Sequence, residues 1–427
     1  MSNRAPLIAF FPEASFGAAL NCVAIAQSLA ELGAESVFVC HPGFSGVFSQ
    51  YGFKEYHLSR DVDVSQDETE DYWQEFIERH TPHFSLSPLD QLDTYVGPTW
   101  DAIVETVEKE DGSLYSLLGR LSPDLVVLDN VIMFPAILRL SIPWVRVISC
   151  VETELADANV PPYLSGLSVG DESAIQTFNE AYLKAVEPAW HRYQKFRQSH
   201  KLPVLSDGEF LEPSPWLNLL LAPSMVRRER SEVLPKDKFV YLEGCVRREA
   251  PFNLPVFAKD TFPLVYVSFG SLGAIDVALM QRMIRVFERI EARFIVNVGG
   301  FLENYDNVPD NVFLGAWFAQ PSIVKLADLF VHHGGNNSFC EALYFGVPSL
   351  VMPYCWDGHD NAIRAVETKT GSMLHRSNWT DEELKDHIES LLDNNSMKKR
   401  LRDNARVMQQ QPGSATAANA ILALCSK

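Results

Sequence analysis

Apolar runs alternate with helix-like stretches along the chain. In the first third, the runs PLIAFF, SVFVCH, PDLVVLDN and WVRVIS are continuous in apolar residues and do not alternate with polar ones. Such runs are typical of parallel strands that are buried on both faces. Between them, apolar residues recur at helical spacing over 20–32, before Gly33, and the stretch VIMFPAILRLS at 131–141 is also predicted as a helix. The pattern predicts a doubly wound α/β domain.

The pattern restarts after a proline-rich, charged stretch at 246–262. The later strand-like runs are LVYVSFGS, RFIVNVGG, VFLGAW, LFVHHGG and PSLVMPY. We therefore predict a first domain over 1–245, an interdomain linker over 246–262, a second domain over 263–411 and a terminal helix over 412–427. The predicted architecture is two Rossmann-like domains facing across a cleft, with ligands at the carboxyl ends of the strands.

A long acidic insert at 58–110 interrupts the first domain and is rich in aromatic residues. Two interpretations of its aromatic residues stay open: they line a pocket for an apolar ligand, or they form the core of helices that cap the domain. The residues concerned are Tyr72, Trp73, Phe76, Phe84, Tyr95 and Trp100.

Composition excludes several classes of partner. The chain has 427 residues and a formal net charge of −19 at pH 7, which argues against a nucleic-acid or anionic-membrane partner. Its 7 cysteines are odd in number and form no CxxC pair, so we expect reduced thiols in a cytoplasmic protein. No stretch offers the roughly 18 uninterrupted apolar residues of a membrane span.

The sequence VHHGGNNSFCEAL, which begins at Val331, reads as the end of a strand, a glycine turn and the start of a helix. Gly335 and its neighbour Gly334 allow a ligand to approach the backbone closely. Asn337 or Ser338 is predicted to cap the helix, with Glu341 completing a capping box. A helix N-terminus favours an anion such as phosphate. On its own, a lone glycine turn is more typical of a plain strand-to-helix connection with a capped helix.

The wider pattern decides between these interpretations. The segment at 313–371, FLGAWFAQPSIVKLADLFVHHGGNNSFCEALYFGVPSLVMPYCWDGHDNAIRAVETKTG, resembles the nucleotide-sugar signature of the UDP-dependent glycosyltransferases of the GT-B fold. Upstream, VYVSFGS, PDLVVLD and SIPWV agree with this family, and FFPEASFG is similar to its bacterial macrolide-glycosyltransferase members. The resemblance covers nearly the whole chain except the insert and the helical middle. It implies a UDP-sugar site in the second domain, an acceptor site in the first, and a terminal helix that returns to the first domain.

The resemblance also assigns roles to individual residues around the donor. It implies that Trp317 stacks on uracil, that Gln320 lies beside the ribose, and that Glu341 holds the ribose hydroxyls. It places His333 on the diphosphate and makes its neighbour His332 the last residue of the strand. The remaining donor residues that it implies are Ser271 at the β-phosphate, Gly335, Asn337 and Ser338 near sugar and phosphate, and Asp357 at the sugar hydroxyls.

Departures from the family pattern concern the sugar and the catalytic base. The usual Asp-Gln pair is Asp357-Gly358 here, with His359 next to it, and the W-x-P-Q motif reads WFAQ. The position of the usual base histidine holds Ala18. The aspartate that normally orients that histidine matches Asp129, which could act directly or through a water.

The resemblance as a whole implies an inverting transfer of a sugar, most simply glucose, to a hydroxyl of a lipophilic small molecule such as a phenol. Asp129 is our candidate base, ahead of Glu13, which reads as a solvated loop acid. No metal or other cofactor is expected, and DVD at 61–63 reads as a solvated acidic face. The alternative is a catalytically impaired relative that keeps the fold and serves as a binding or auxiliary protein.

Overall fold

The computed structural model describes residues 4–58, 78–257 and 259–425. The chain divides into two compact units. The first contains Met1–Ala222, Arg228–Arg247 and Pro412–Lys427, and the second contains Pro223–Arg227 and Arg248–Gln411. The terminal segment thus belongs to the first unit, and the short piece Pro223–Arg227, placed within the first domain by its position in the sequence, belongs to the second.

A seven-stranded parallel sheet forms the centre of the first unit, in the order β3-β2-β1-β4-β5-β6-β7. Its strands are β1 (Leu7–Pro12), β2 (Glu35–Cys40), β3 (Lys54–His57), β4 (Leu125–Asp129), β5 (Trp144–Ile148), β6 (Leu217–Leu221) and β7 (Phe239–Leu242). The strand order reverses between β1 and β4, which pair from Ile8 with Leu125 to Pro12 with Asp129. The predicted continuous runs are therefore central buried strands.

Helices surround this sheet. They are α1 (Phe16–Glu31), α2 (Gly97–Leu121), α3 (Pro135–Arg139) and α4 (Glu172–Ser199). The helix predicted over 131–141 is wrong in its first half. Pro135 lacks a backbone N–H and stands at the start of α3, while the Asn130 side chain accepts from the Ile132 N–H in a local turn.

The described aromatic residues of the insert are core residues. Phe84, Tyr95 and Trp100 are each at most 5% exposed. The Trp100 ring stacks on Phe210 with centroids 4.0 Å apart, and Phe84 meets Tyr95 edge to face. The core interpretation therefore holds for these three, while Tyr72, Trp73, Phe76 and the DVD at 61–63 lie outside the described residues.

The second unit contains a six-stranded parallel sheet in the order β10-β9-β8-β11-β12-β13. Its strands are β8 (Leu264–Ser268), β9 (Arg293–Asn297), β10 (Val312–Gly315), β11 (Leu329–His332), β12 (Ser349–Val351) and β13 (Gly371–Met373). Here the order reverses between β8 and β11, and the carboxyl ends at such a reversal form the usual ligand crevice of an open α/β sheet. The predicted restart of the doubly wound pattern is confirmed.

The helices of the second unit follow its strands. They are α5 (Gly270–Gly273), α6 (Val277–Phe287), α7 (Gln320–Val324), α8 (Asn336–Phe345), α9 (Gly358–Glu367), α10 (Asp381–Asp393) and α11 (Asn395–Gln410). The last helix, α12 (Gly413–Cys425), contacts α1, β6 and β7 of the first unit. Within the described ranges, every helix is too short or too polar to cross a membrane.

Candidate active site

Most of the predicted donor residues lie at the carboxyl edge of the second sheet. Trp317 follows β10, His333 follows β11, and Asp357 follows β12. Ser271 lies in α5, directly after β8. Parallel strands bring their carboxyl ends to one edge, which is why residues far apart in sequence meet there.

The glycine turn after β11 is tightly constrained. Gly334 has a φ of 93°, a conformation that disfavours residues with a side chain. A Cβ at this position would lie 2.6 Å from the Gly358 carbonyl oxygen. The turn conformation and its packing therefore both require glycine at 334.

The start of helix α8 differs from the prediction. The helix begins at Asn336, its N-cap is Gly335, and no side chain of the preceding turn caps it. The predicted cap at Asn337 or Ser338, with a capping box to Glu341, is therefore wrong. The Asp357 carboxylate accepts instead from the Asn336 N–H at 2.8 Å. A carboxylate from a distant loop replaces the local cap, and it complements the positive end of the helix dipole.

Glu341 forms a hydrogen bond with a neighbouring helix and does not take part in a capping box. Its carboxylate is 1% exposed and accepts from the Gln320 Nε2 at 2.7 Å. The same Gln320 amide donates to the Ser338 hydroxyl at 3.0 Å. Three predicted donor residues, from the starts of α7 and α8, thus form one hydrogen-bonded group. An ionised carboxylate has about four acceptor positions, so it can accept from more than one donor at a time.

His333 is partly buried beside the turn. Burial, followed by the positive charge of Arg376, lowers its pKa to about 4. The imidazole is therefore neutral at pH 7 and carries one N–H and one acceptor nitrogen. Among the described residues, its Nδ1 has no hydrogen-bond partner. A neutral histidine can donate a hydrogen bond to a phosphate oxygen without adding a full charge.

The residues predicted to flank the nucleotide differ in exposure. The Trp317 side chain is 58% exposed, so its ring offers a free surface for stacking. Asn337 is partly buried in the first turn of α8, next to Ser338.

The Asp357-Gly358 pair has a structural explanation. A Cβ at Gly358 would lie 2.5 Å from the His333 carbonyl oxygen, closer than real Cβ atoms come. The glutamine of the family pattern has no room on this backbone. Burial raises the pKa of Asp357 to about 7 despite its hydrogen bond from Asn336. The neighbouring His359 is 8% exposed, and burial lowers its pKa to about 4.

A buried polar cluster surrounds the candidate base in the first unit. Asp129 ends β4 and is 3% exposed. Its carboxylate accepts from Ser149 Oγ at 2.7 Å, from Asn21 Nδ2 at 3.1 Å and from Cys22 Sγ at 3.7 Å. Burial raises its pKa to about 7, although these hydrogen bonds act in the opposite direction.

Two members of this cluster, Asn21 and Cys22, lie one helical turn beyond Ala18 in α1. Ser15 caps α1 by accepting from the Ala18 N–H at 3.4 Å, so Ala18 lies in the first turn and Asn21 in the next. Glu13 joins the same region through its backbone N–H, which donates to the Asp129 carbonyl at 2.7 Å. Sequence analysis missed Asn21, Cys22 and Ser149. The available signal was Asn21, a strongly polar residue within an otherwise apolar helix.

Metal binding has no support among residues 4–58, 78–257 and 259–425, where no group of three or more His, Cys, Asp or Glu side chains could hold an ion. At the glycine turn, His333 is neutral and the Asp357 carboxylate accepts a hydrogen bond from the Asn336 N–H. A helix terminus of this kind can hold an anion by hydrogen bonds.

Comparison with known proteins agrees with this geometry. Residues 281–424 match the family described as "Erythromycin biosynthesis protein CIII-like, C-terminal domain". The chain is 22% identical over 424 residues to the NDP-glycosyltransferase YjiC of Bacillus subtilis (strain 168), an alignment that covers 97% of this chain and 96% of that protein.

Solved structures share the fold over nearly the full length. CalG4, the calicheamicin glycosyltransferase, has a TM-score of 0.70 at 18% identity and is covered to 99%, as is this chain. The glycosyltransferase VinC, solved in complex with DTDP, has a TM-score of 0.66 at 17% identity, with 98% of this chain and 99% of that chain covered. The predicted GT-B fold and the resemblance to macrolide-type glycosyltransferases are confirmed.

Proposed function

We propose that this protein, a nucleotide-sugar-dependent glycosyltransferase of the GT-B fold, transfers glucose from UDP-glucose to a hydroxyl group of an apolar small molecule. The observation that carries the donor assignment is the hydrogen-bonded group of Gln320, Ser338 and Glu341 beside the glycine turn. This supports the proposal because a carboxylate such as that of Glu341 is a suitable acceptor for ribose hydroxyls. The exposed Trp317 ring supplies a surface for the base.

The second part of the proposal is the course of the reaction. The acceptor oxygen attacks the anomeric carbon from the face opposite the diphosphate, the bond to the diphosphate breaks, and the configuration inverts to a β-glycoside. His333 and the backbone at the start of α8 stabilise the leaving diphosphate, because donors aimed at a developing charge lower the barrier. These groups bind charge and need no proton transfer of their own.

Asp129 is proposed to take the proton from the acceptor hydroxyl. With a pKa raised to about 7, the carboxyl is partly ionised at neutral pH, and a pKa near the working pH suits a general base. Its oxygens already accept from Asn21, Cys22 and Ser149, and the residue is 3% exposed. We therefore propose proton transfer through a bridging water in preference to direct contact.

An apolar acceptor is proposed mainly from the resemblance of the chain to small-molecule glycosyltransferases. Acidic hydroxyls such as phenols need the least help from a base, which fits a protein with Ala18 in place of the usual histidine.

The test is a matrix of donors and acceptors read by mass spectrometry. UDP-glucose, UDP-galactose and dTDP-glucose are each combined with phenols, aliphatic alcohols and a macrolide aglycone, and product configuration is determined by NMR. We expect turnover to be fastest with UDP-glucose and a phenol, giving a β-glucoside. Preference for dTDP-glucose would contradict the uridine assignment, and donor binding without turnover on every acceptor would contradict the catalytic one.

A further inference from the structure

The backbone of Gly334 is held on both sides by buried side chains. Its N–H donates to the His332 Nδ1 at 3.1 Å, and its carbonyl accepts from the Asn361 Nδ2 at 2.8 Å. His332 and Asn361 are both 0% exposed. The peptide groups that set the conformation of the turn are therefore fixed by His332 and Asn361, neither of which has been assigned a contact with the donor.

The orientation of the Asn361 amide follows from its two partners. The Gly334 carbonyl can only accept, so the Asn361 nitrogen must face it. The Asn361 Oδ1 in turn accepts from Arg364 Nη1 at 3.2 Å, and a guanidinium can only donate. Arg364 is 0% exposed and lies one helical turn further along α9. The guanidinium thus fixes the amide in the orientation that holds the glycine.

Arg364 is itself anchored to the backbone of Val226. Its Nε and Nη2 both donate to the Val226 carbonyl, at 3.3 Å and 3.2 Å. Val226 is 1% exposed and packs in an apolar cluster that includes Phe339 of α8 and Ala362 of α9. It lies in Pro223–Arg227, the five-residue segment that the second unit takes from the middle of the first unit's sequence.

These contacts form one continuous series from Val226 through Arg364 and Asn361 to Gly334. We propose that Asn361 and Arg364 are positioning residues of the donor site, which hold the glycine turn in its anion-binding conformation and couple it to the placement of Pro223–Arg227. The proposal rests on the proposed function, since it assumes that the turn binds the donor diphosphate. It extends that function by adding two residues that need not touch the ligand.

Charged and titratable groups near this series are few and identifiable. Arg364 lowers the pKa of Asp357, which burial raises to about 7 with help from Asp360. His332 stays neutral because burial lowers its pKa well below the ordinary value. A useful variant must therefore separate loss of hydrogen-bond geometry from loss of the Arg364 charge.

The main experiment measures UDP affinity by isothermal titration calorimetry on the full chain. Asn361→Asp keeps the size of the side chain and replaces the donor to Gly334 by an acceptor, while Arg364→Lys keeps the charge and loses the guanidinium fork. We expect UDP affinity to fall at least tenfold in both, with the donor KM raised and kcat at saturating donor changed less than threefold.

Asn311→Asp is the matched control. Asn311 Nδ2 donates to three backbone carbonyls of the same unit, those of Phe287, Ile290 and Ala292, none of which belongs to the turn. The control should lose thermal stability to a similar degree and keep its UDP affinity. Unchanged affinity in Asn361→Asp, or an equal loss in the control, would overturn the proposal. If Asn361→Asp does not fold, Arg364→Lys decides by the same criterion.

Hydrogen exchange tests the coupling to Pro223–Arg227. Binding free energies are reciprocal, so a segment that supports UDP binding must itself be stabilised by UDP. We expect saturating UDP to slow amide exchange in the wild-type peptide that contains Met225 and Val226, and to have less effect in Arg364→Lys. Equal protection in both proteins would refute the coupling. A wild-type protein that binds neither UDP nor dTDP would instead reject the donor site itself.

Discussion

At the scale of single residues, the carboxyl of Asp129 is unusual because it is buried and has a raised pKa. This carboxyl is 3% exposed and has lost most of its contact with water. It accepts hydrogen bonds from three fixed donors, Asn21, Cys22 and Ser149. The fold favours its protonated form, since burial raises the pKa to about 7. The same shift that makes Asp129 a suitable base at neutral pH therefore makes it a source of instability at higher pH.

Asp129→Asn is expected to lower kcat by about 10²–10⁴-fold and to leave the donor KM nearly unchanged, because a positioned base contributes at the transition state. In the wild type, kcat should rise with pH as the carboxyl ionises, with its midpoint near the pKa of about 7. Steady-state kinetics between pH 5 and 9 check both. Unaltered turnover in the variant would remove Asp129 from the mechanism.

Stability gives an independent measurement on the same variant. In the unfolded chain the carboxyl ionises near its ordinary pKa of 3.8, but in the folded chain only near about 7. The contribution of Asp129 to the free energy of unfolding is therefore complete below pH 4 and lost as pH rises toward 7. Asn at this position does not titrate. The free energy of unfolding of the variant, measured in urea, should therefore rise relative to that of the wild type between pH 4 and pH 8.

At the residue scale, the sequence could group distant residues only where a motif fixed their spacing. The pattern around His333 located residues that do lie at one edge of the sheet, including Gln320, Ser338 and Glu341. It could not find Asn21 or Ser149, because their connection to Asp129 spans 108 and 20 residues and depends on how strands pair. Long-range partners of this kind follow from the fold and not from local periodicity.

At the scale of elements, the backbones of two secondary-structure elements pack directly against each other at two glycines. Gly334 and Gly358 approach so closely that a Cβ on the first would lie 3.0 Å from the Cα of the second. Strand β11 and helix α9 are joined at this point by backbone contact. The packing of this strand and helix therefore leaves no room for a side chain at either position.

Gly358→Gln, which would restore the family pair, is expected to destabilise the protein by about 1–3 kcal/mol, because its Cβ must displace the His333 carbonyl. UDP-glucose affinity should fall and not improve. Gly300→Ala is the control, since nothing lies within 4 Å of its added Cβ. Urea unfolding and calorimetry compare the two, and a stable Gly358→Gln protein with tighter donor binding would contradict the steric argument.

The start of helix α8 underlies the expectation about metals. Its Asn336 N–H binds the Asp357 carboxylate, and the other N–H groups of its first turn have no intrahelical carbonyl to bind. A helix terminus and neutral His333 can stabilise a diphosphate without a cation. We expect full activity in excess EDTA, and a loss that is restored by Mg²⁺ would count against this assignment.

Element boundaries show what the sequence could and could not predict. Continuous apolar runs correctly predicted the central strands, because burial on both faces leaves little choice of residue. The edge strands β3 and β13 are more polar and partly exposed, and the apolar pattern did not predict them. The helix at 131–141 and the local cap of α8 were mispredicted, since Pro135 and the loop carboxylate of Asp357 compete with the periodic signal. Polar contacts from distant loops are invisible to a pattern that considers neighbours in sequence.

At the scale of the whole molecule, the two units are interleaved along the chain. The first unit contains the last helix, α12, whose Ala417, Ala418 and Ile421 are buried. Gly413 begins this helix, and a Cβ there would lie 2.7 Å from the Gly244 carbonyl oxygen. The helix is therefore closely packed from its first residue and forms part of the unit's core.

Ile421→Ala is expected to lower the stability of the first unit by about 2–5 kcal/mol, the usual cost of truncating a fully buried aliphatic side chain. UDP affinity should stay unchanged, because the proposed donor residues belong to the second unit. Asn419→Ala changes an exposed residue of the same helix and serves as the control. Differential scanning calorimetry with and without UDP distinguishes a local effect from a loss of the donor site.

Because the units are interleaved along the chain, the parts of the first unit become available for folding at very different times during synthesis. A ribosome releases the chain from its N-terminus, so α1, β6 and β7 emerge long before the helix that packs against them. All of the second unit's sequence is translated while that surface still awaits its partner. The nascent protein must therefore carry an incomplete first unit until residues 413–425 have left the exit tunnel, and a premature stop near residue 411 would remove this part of its core.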